Sequence, residues 1–428
     1  MGLGDSSGLD CDFPDIINSG ELELANADER SKPLSRDLQF GKRKPCSSLR
    51  AVSEKLVYVV AGEVSGDTHG AELMAALSGS IGCVSFRGLG GPEMARLANR
   101  MVEDWVDEAA VVGVWEVLRR YGWFKRKFDE VVADLLASKP DVLLLIDYPG
   151  FNLRLAKRVN EEIPSVKIVH YVAPQVWAWN QKRIPRIAAT HDLMLCLFPF
   201  EVPLFENAGL WSRCVGHPLV DELEEKRIEG EREEDLVGLF PGSRTKEVSK
   251  LFPMMLATVS RLRKNHANAR FVAAAASLRV ARLMEGLLAG SDLPAGAVEI
   301  QLGKSQELMQ RASCGVVASG TATLEAAYYG MPYCLVYRVA WPTFLIARQL
   351  VVLPHIGLIN ILAGREVVPE LIQGDANDYE VALWLGQALD DAEGRKALSD
   401  ELFEVASKLG EPGVHRRAAW EIERLLEK

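Results

Sequence analysis

The chain contains a series of short, largely apolar runs, each long enough for a strand and too short for a helix. They lie at residues 56–60, 142–146, 166–172, 193–198, 236–240, 270–276, 314–318 and 333–339. Between them lie apolar residues at helical spacing, most clearly from Val248 to Leu262. Strands that are apolar throughout are typical of parallel sheets covered by helices on both faces. Because strand and helix alternate in two series, the sequence predicts an α/β protein with two Rossmann-like, doubly wound domains.

The chain also divides by charge and periodicity. Residues 1–54 are acidic, then basic and rich in serine, without periodicity, which predicts a disordered leader or a targeting segment. An N-terminal domain is expected at 55–220, and a charged linker at 221–235. A C-terminal domain is expected at 236–378, followed by a helical tail at 379–428. Exchange of this tail between two protomers would give a homodimer, so the oligomeric state stays open.

Composition excludes several classes of protein. The net charge of -10 argues against a general nucleic-acid binder. The apolar runs are too short to cross a bilayer. The seven cysteines are odd in number and form no CxxC pair, which favours reduced, buried thiols. The seven histidines are dispersed along the chain, so the sequence predicts neither a metal cluster nor a structural zinc site.

Two segments in the second half run from a strand through a small-residue turn into a helix. Their candidate binding residues are Ser243, Arg244, Ser319, Gly320, Thr321 and Glu325. Such turns direct backbone N–H groups and the positive end of a helix toward a phosphate. Arg244 adds a permanent charge, and Glu325 is positioned to reach a ribose hydroxyl. The pair therefore predicts a nucleotide diphosphate site; the alternative is that Thr321 simply caps a helix.

The loop after the first strand carries a cluster of polar residues. Glu63, Ser65 and Asp67 lie at the carboxyl end of this strand, where α/β proteins bind ligands. We therefore expect them to contact substrate, with a structural role for Asp67 as the alternative. The loop lacks a GxGxxG pattern, which makes a dinucleotide site improbable.

Asp147 directly follows the apolar strand at 142–146. Burial there would raise the pKa of its carboxyl group, which suits a general base that accepts a hydroxyl proton. Capping of the following turn is the alternative role.

Three further segments are candidates for substrate or membrane contact. Trp177 fits a wall for a sugar ring or an amphiphile, although tryptophans also fill cores. Asn360 and Arg365 lie on a polar loop that is positioned to close over the nucleotide site. A third segment interleaves aromatic and cationic side chains, which favours an anionic membrane surface over an ordinary surface helix. Its proposed contact residues are Trp115, Trp123, Phe124, Lys125 and Arg126.

With these residues collected, the sequence resembles the lipid-A-disaccharide synthases, which are inverting glycosyltransferases of the two-Rossmann (GT-B) type. The matching motifs are AGEVSGD at 61–67, IDYPGFN at 146–152, YVAPQVWAW at 171–179, LFPFE at 197–201, VGHP at 215–218, PGSR at 241–244, SGTATLE at 319–325 and LAGRE at 362–366. In order, they cover nearly everything from Leu56 to about Leu426. Each motif is weak alone, but the set is specific.

The resemblance implies an activity and roles for residues. Family members join UDP-2,3-diacylglucosamine to 2,3-diacylglucosamine 1-phosphate, giving a β-1,6-linked disaccharide 1-phosphate and UDP. Asp147 matches the essential aspartate of the family and Arg244 its essential arginine. The second domain would hold the UDP-sugar, and the first would hold the acylated acceptor in a cleft between them. The donor half shows no carboxylate pair with metal spacing, so we expect a metal-independent reaction without a cofactor.

Two departures from the family matter. Gly150 stands where some relatives carry a second acid, which leaves Asp147 without a partner. The long leader predicts an imported, mitochondrial form, with the bacterial cytoplasm, at the inner membrane, as the alternative.

Other activities also fit the fold. They are another GT-B enzyme, such as a UDP-sugar epimerase or a transferase with a polyprenyl-linked acceptor, a nicotinamide-dependent oxidoreductase, and a non-catalytic binding module.

Overall fold

The structure, a computed structural model, describes most of the chain after the leader. The described residues are 54–109, 114–339 and 353–427, without the side chains of 114–119 and Trp179. The leader expected at 1–54 therefore lies outside the described residues, apart from Glu54.

Seven parallel strands form the first sheet. They are β1 (Lys55–Ala61), β2 (Val84–Gly90), β3 (Val102–Asp104), β4 (Val142–Ile146), β5 (Lys167–Tyr171), β6 (Leu193–Cys196) and β7 (Ser212–Cys214). Their order is β3-β2-β1-β4-β5-β6-β7. Side chains of β4 alternate between two apolar clusters, with Leu144 in one and Leu143 and Leu145 in the other. Both faces are therefore buried, which explains why the run is apolar throughout.

Six parallel strands form the second sheet. They are β8 (Glu233–Phe240), β9 (Arg270–Ala275), β10 (Glu299–Leu302), β11 (Ala312–Ala318), β12 (Tyr333–Tyr337) and β13 (Glu370–Ile372). Their order is β10-β9-β8-β11-β12-β13. The predicted pair of doubly wound sheets is thus confirmed.

Helices connect the strands. They are α1 (Val64–Ser80), α2 (Pro92–Leu97), α3 (Val106–Ala109), α4 (Val114–Ser138), α5 (Pro149–Glu162), α6 (Val176–Trp179), α7 (Ile184–Ala188), α8 (Val202–Glu206), α9 (Leu219–Glu225), α10 (Thr245–Leu262), α11 (Leu278–Ala289), α12 (Ser305–Arg311), α13 (Thr321–Tyr328), α14 (Leu358–Ala363), α15 (Asp378–Asp390), α16 (Ala392–Ser407) and α17 (Val414–Leu426). Two short 3-10 helices lie at Gln181–Arg183 and Pro199–Glu201.

Each sheet has one point where the order of its strands reverses. In the first sheet, β2 and β3 extend from one side of β1, and β4 begins the other side. In the second sheet, β8 and β11 have the same relation. Connections leave such a pair toward opposite faces, which opens a crevice at the carboxyl ends of the two strands. These crevices are the places where each sheet is built to receive a ligand.

The predicted helical tail does not behave as one unit. Helix α16 packs on α13 and α14 beside the second sheet, whereas α17 returns to α1 and to β5 of the first sheet. The Asp221 carboxylate accepts hydrogen bonds from the backbone N–H groups of Gly413 and Val414 at the start of α17. In this chain, α17 therefore belongs to the core of the first sheet.

The segment expected as a linker is largely ordered. Helix α9 occupies its first part, and β8 begins inside it at Glu233. The Arg232 guanidinium donates hydrogen bonds to the backbone carbonyls of Met309, Ala312 and Tyr329. These bonds attach the segment to the second sheet and its helices.

No helix among the described residues is both long enough and apolar enough to span a membrane.

Replacing the cap of α17 should loosen the end of the chain. We expect Asp221→Ala to lower the free energy of unfolding by about 1 kcal/mol, because two N–H groups at a helix start lose their acceptor. Urea denaturation followed by circular dichroism measures this change. Glu229→Ala, at an exposed position of the same segment, serves as the control and should leave stability within about 0.5 kcal/mol of the parent. Equal stability of both variants would contradict the capping role.

Candidate active site

Asp147 lies at the reversal point of the first sheet, in a strained turn. Asp147 and Tyr148 both have positive φ angles, 47° and 51°. Two such residues in succession cost on the order of 1–3 kcal/mol each. Hydrogen bonds hold the turn: the Asp147 N–H donates to the Tyr171 carbonyl at 2.9 Å, and the Asn152 amide donates to the Asp147 carbonyl at 2.7 Å. The backbone is thus fixed by its surroundings in a conformation that it would not adopt alone.

Tyr148 fastens this turn to the neighbouring loop. A Cβ at Gly62 would lie 2.5 Å from the Tyr148 ring, so only glycine fits beneath it. The Tyr148 hydroxyl donates to the Ala109 carbonyl at 3.0 Å. The loops after β1 and β4 are therefore in direct contact, which brings Glu63 and Asp147 into one neighbourhood.

Glu63 and Asp147 form an interacting pair of carboxyl groups. Burial raises the pKa of Asp147 to about 6, against the opposing effect of a hydrogen bond from the Tyr148 backbone. Burial raises the pKa of Glu63 to about 7, and the charge of Asp147 adds to that shift. The expectation that Gly150 leaves Asp147 without an acidic partner is therefore wrong, because the partner comes from the loop after β1.

Arg244 lies at the reversal point of the second sheet, after β8. In the turn before α10, a Cβ at Gly242 would lie 2.0 Å from the Glu247 carboxylate. That carboxylate accepts hydrogen bonds from the backbone N–H groups of Ser243 and Arg244. We expected these N–H groups to receive a phosphate, and in this structure Glu247 is their partner. The Ser243 side chain is exposed and the Arg244 side chain is half-buried, so both are available to a phosphate.

The Arg244 guanidinium is held without an anionic hydrogen-bond partner. Its Nη2 atom is buried and donates no hydrogen bond to any described residue. Burial lowers the pKa of Arg244, while nearby Glu247 and Tyr337 oppose this effect. A buried guanidinium nitrogen that donates to nothing is unfavourable in a finished fold. The group is therefore suited to an anionic ligand.

The second turn, at the end of β11, has an open helix start. Gly320 has a φ of 138°, and a Cβ added there would meet nothing within 4 Å. As the N-cap of α13 it has no side chain to engage the first N–H groups. The Thr323 hydroxyl instead donates to the Gly320 carbonyl at 2.7 Å. With Ser319 and Thr321 half-buried beside it, the start of α13 provides room and free N–H groups for a phosphate.

Glu325 lies one turn into α13. Burial raises the pKa of this half-buried group to about 7, with a further contribution from the charge of Glu222. A hydrogen bond from Gln306 opposes the shift. A carboxyl group in this position can accept a hydrogen bond from a hydroxyl of a ligand seated on the helix start.

Two predicted binding residues are instead structural. The buried Asp67 carboxylate accepts hydrogen bonds from the N–H groups of Gly91, Glu93 and Met94, so it caps α2. Asn360 is fully buried; its amide donates to the Val368 carbonyl and to Glu370, and its oxygen accepts from two N–H groups. The Asp67 side chain is committed to the start of α2 and the Asn360 side chain to the segment that follows α14, which corrects the expectation that they bind substrate.

Trp177 is also part of the core. Only 3% of it is exposed, its indole donates to Glu201 at 2.9 Å, and its ring packs edge-on against Phe200. It therefore stiffens the loop after β5 and forms no wall of a pocket. Arg365 is exposed and pairs with Glu401. Ser65 is half-buried in the first turn of α1.

The expected membrane segment lies on α4, where Tyr121 is exposed and Trp123 and Phe124 are half-buried. Trp123 stacks on the buried Trp105 at 6.0 Å between ring centroids, and Phe124 packs edge-on against Trp123. Of the proposed contact residues, Lys125 and Arg126 are exposed. Trp115 lies outside the described side chains. The rings of Trp123 and Phe124 thus pack against the core, and contact of this segment with a membrane stays a prediction.

Sequence reasoning missed Tyr148, Glu247 and Tyr337. Glu247 had a signal: an acid three residues after a helix N-cap is the spacing at which a carboxylate reaches back to the preceding N–H groups. Tyr148 and Tyr337 had none, since their roles depend on contacts between distant loops.

Comparison with known proteins adds to this geometry. Residues 57–416 match the family described as lipid-A-disaccharide synthetase. The lipid-A-disaccharide synthase of Trichlorobacter lovleyi is 38% identical over 373 residues, covering 85% of this chain and 96% of the relative. That of Pseudomonas fluorescens is 40% identical over 354 residues, covering 81% and 92%.

Solved structures show the same architecture at low identity. The UDP complex of S. aureus MnaA has a TM-score of 0.56 at 12% identity, over 87% of this chain and 97% of that one. MurG from Acinetobacter baumannii has a TM-score of 0.53 at 12% identity, over 86% and 99%. These likenesses show the fold alone, and they confirm two Rossmann-like domains of the GT-B type.

The reassignment of Asn360 gives a testable prediction. Asn360→Ala removes the acceptor of the Val367 and Val368 N–H groups and the donor to the Val368 carbonyl, so we expect it to lower stability by about 3 kcal/mol. UDP affinity, measured by calorimetry well below the unfolding temperature, should change less than about threefold. Arg365→Ala, on the same loop but exposed, should alter stability by less than about 0.5 kcal/mol. A stable Asn360→Ala protein that no longer binds UDP would restore the residue to the binding site.

Proposed function

Because this chain belongs to the lipid-A-disaccharide synthetase family, we propose that its two reversal points act on one pair of substrates. The family reaction transfers a diacylglucosamine unit from UDP to the 6-hydroxyl of an acylated glucosamine 1-phosphate. We assign the donor diphosphate to Arg244 and the start of α13, and the acceptor hydroxyl to Asp147. The observation that carries this assignment is the unpartnered Arg244 nitrogen at the same sheet edge as the open helix start.

The donor side supplies charge and hydrogen bonds. The bond between the anomeric carbon and the diphosphate oxygen breaks, and UDP leaves with the electron pair. Arg244 and the N–H groups at Thr321 and Ala322 stabilise the negative charge that develops on the diphosphate. Glu325 orients the ribose. A guanidinium that donates to nothing in the free protein requires no reorganisation before it acts.

The acceptor side supplies the base. Asp147 accepts the proton of the 6-hydroxyl while the hydroxyl oxygen forms the new bond on the face opposite UDP, which inverts the configuration. With a pKa of about 6, its carboxylate is mostly ionised at pH 7 and is more basic than an exposed aspartate. Glu63, whose pKa is about 7, is the group that holds or shares a proton beside it.

We also propose that the protein contacts an anionic membrane surface. The exposed Lys125 and Arg126 on α4 suit the headgroups of an anionic membrane, and acylated substrates would favour such a surface. Mitochondrial import stays a prediction from the leader; the similar proteins named above are bacterial. A homodimer that exchanges the tail also stays a prediction, although α17 packs on its own chain here.

A product assay with paired variants tests the proposed roles. Incubation with both acylated glucosamine substrates should give the disaccharide 1-phosphate and UDP in equal amounts by mass spectrometry. Asp147→Asn should lower turnover by at least about a hundredfold and keep donor affinity, whereas Arg244→Met should weaken donor binding by at least about tenfold. Arg261→Met, on α10 and paired with Asp378, is the matched control. UDP release without disaccharide, or an equal response to unacylated donor, would favour a different UDP-sugar enzyme.

The pH profile separates the roles of the two carboxyl groups. A base must be ionised, so kcat/KM should rise with pH through about 6 and then level off. The Glu63→Gln variant mimics protonated Glu63, which is the form present while Asp147 titrates. The rise near pH 6 should therefore persist in this variant, and any second inflection near pH 7 should disappear. A rise near pH 7 that Glu63→Gln abolishes would make Glu63 the base.

A further inference from the structure

Three potential metal ligands meet where α17 packs on α1. His69 and Glu72 are three residues apart on α1 and share one helix face. His415 is the second residue of α17. One ligand atom from each side chain lies within 4.8 Å of the other two. The sequence predicted no such cluster, because 343 residues of chain separate Glu72 from His415 and only the returning helix joins them.

The two imidazoles have unsatisfied nitrogens. His69 Nδ1 and His415 Nε2 are buried and have no hydrogen-bond partner among the described residues. His415 is only 8% exposed, and its Nδ1 lies 3.1 Å from the Glu72 carboxylate. Each unpaired buried nitrogen costs on the order of 1–3 kcal/mol. Two of them in one cluster indicate that a group which would satisfy both belongs there.

The charges around the cluster favour a cation. Glu222 acts on His69 and Asp221 acts on His415, and both add negative charge. The buried Tyr171 hydroxyl, also unpartnered, lies on a ring 5.9 Å from that of His415.

We propose that His69, Glu72 and His415 bind a divalent zinc ion that fastens α17 to α1. Two imidazoles and a carboxylate form a known ligand set for zinc, with a water in the fourth position. An ion at the centre of the three ligand atoms would lie at most about 2.8 Å from each, so shifts of about 0.7 Å reach normal zinc distances. The ion would link the last helix of the chain to the first sheet. It takes no part in the glycosyl transfer, so the proposal is independent of that function.

Zinc binding to the full-length protein tests the proposal. After treatment with a chelator and removal of the chelator, competition against a chromogenic zinc indicator should show one site per chain. His69→Ala, Glu72→Gln and His415→Ala should each weaken binding by at least about tenfold, and zinc should raise the melting temperature of the parent protein but not of these variants. His266→Ala, whose ring pairs with Asp390 beside the second sheet, is the control and should behave like the parent.

Cobalt substitution distinguishes this site from adventitious binding by thiols. A nitrogen and oxygen site gives weak visible bands, whereas thiolate ligands add intense near-ultraviolet bands. Cys214 is the exposed cysteine among those that the structure describes, so its thiol competes for the ion. Cobalt bands without thiolate character that survive Cys214→Ser support the proposal. Glu72→Gln preserves size, so it keeps the test valid if a histidine variant fails to fold. Unchanged zinc affinity in Glu72→Gln and His415→Ala, or affinity lost only with Cys214→Ser, would overturn it.

Discussion

The structure depends on one constraint: each parallel sheet reverses its strand order once. The two reversals, between β1 and β4 and between β8 and β11, leave crevices that no connection covers. The predicted residues with a raised pKa, a missing hydrogen-bond partner or an open helix start lie at these two points. Asp147 and Glu63 follow the strands of the first pair, and Arg244 and Gly320 follow those of the second. The order of the strands therefore determines where the candidate site lies, and the side chains determine its chemistry.

The fold stabilises groups there that are individually unfavourable. Asp147 lies in a left-handed turn, beside a second carboxyl group and with a raised pKa. Arg244 keeps a buried nitrogen without a partner. Apolar strands buried on both faces offset these costs, since each fully buried leucine such as Leu143 or Leu144 contributes about 1.5–3 kcal/mol. A diphosphate bound at Arg244 would give its buried nitrogen an anionic partner, and such a group held ready for charge is a general basis for preorganised catalysis.

The sequence was sufficient for the strands and for the turns that follow them, because apolar runs and small residues are local signals. It was not sufficient to decide what each polar side chain does. Asp67 and Asn360 were candidates for substrate contact like Asp147, yet their partners are backbone groups of segments that pack against them in space. The Glu63–Asp147 pair and the His69–Glu72–His415 cluster depend on contacts between distant segments. Contacts between distant segments leave no periodic pattern in the sequence from which they could be predicted.

The proposed function requires that both reversal points act on one donor molecule. The most direct measurement is a crystal structure of Asp147→Asn with bound UDP-2,3-diacylglucosamine. We predict that the diphosphate contacts the Arg244 guanidinium and the start of α13, with the anomeric carbon directed toward residue 147. A donor whose diphosphate lies away from Arg244, or whose anomeric carbon is turned from residue 147, would contradict the account.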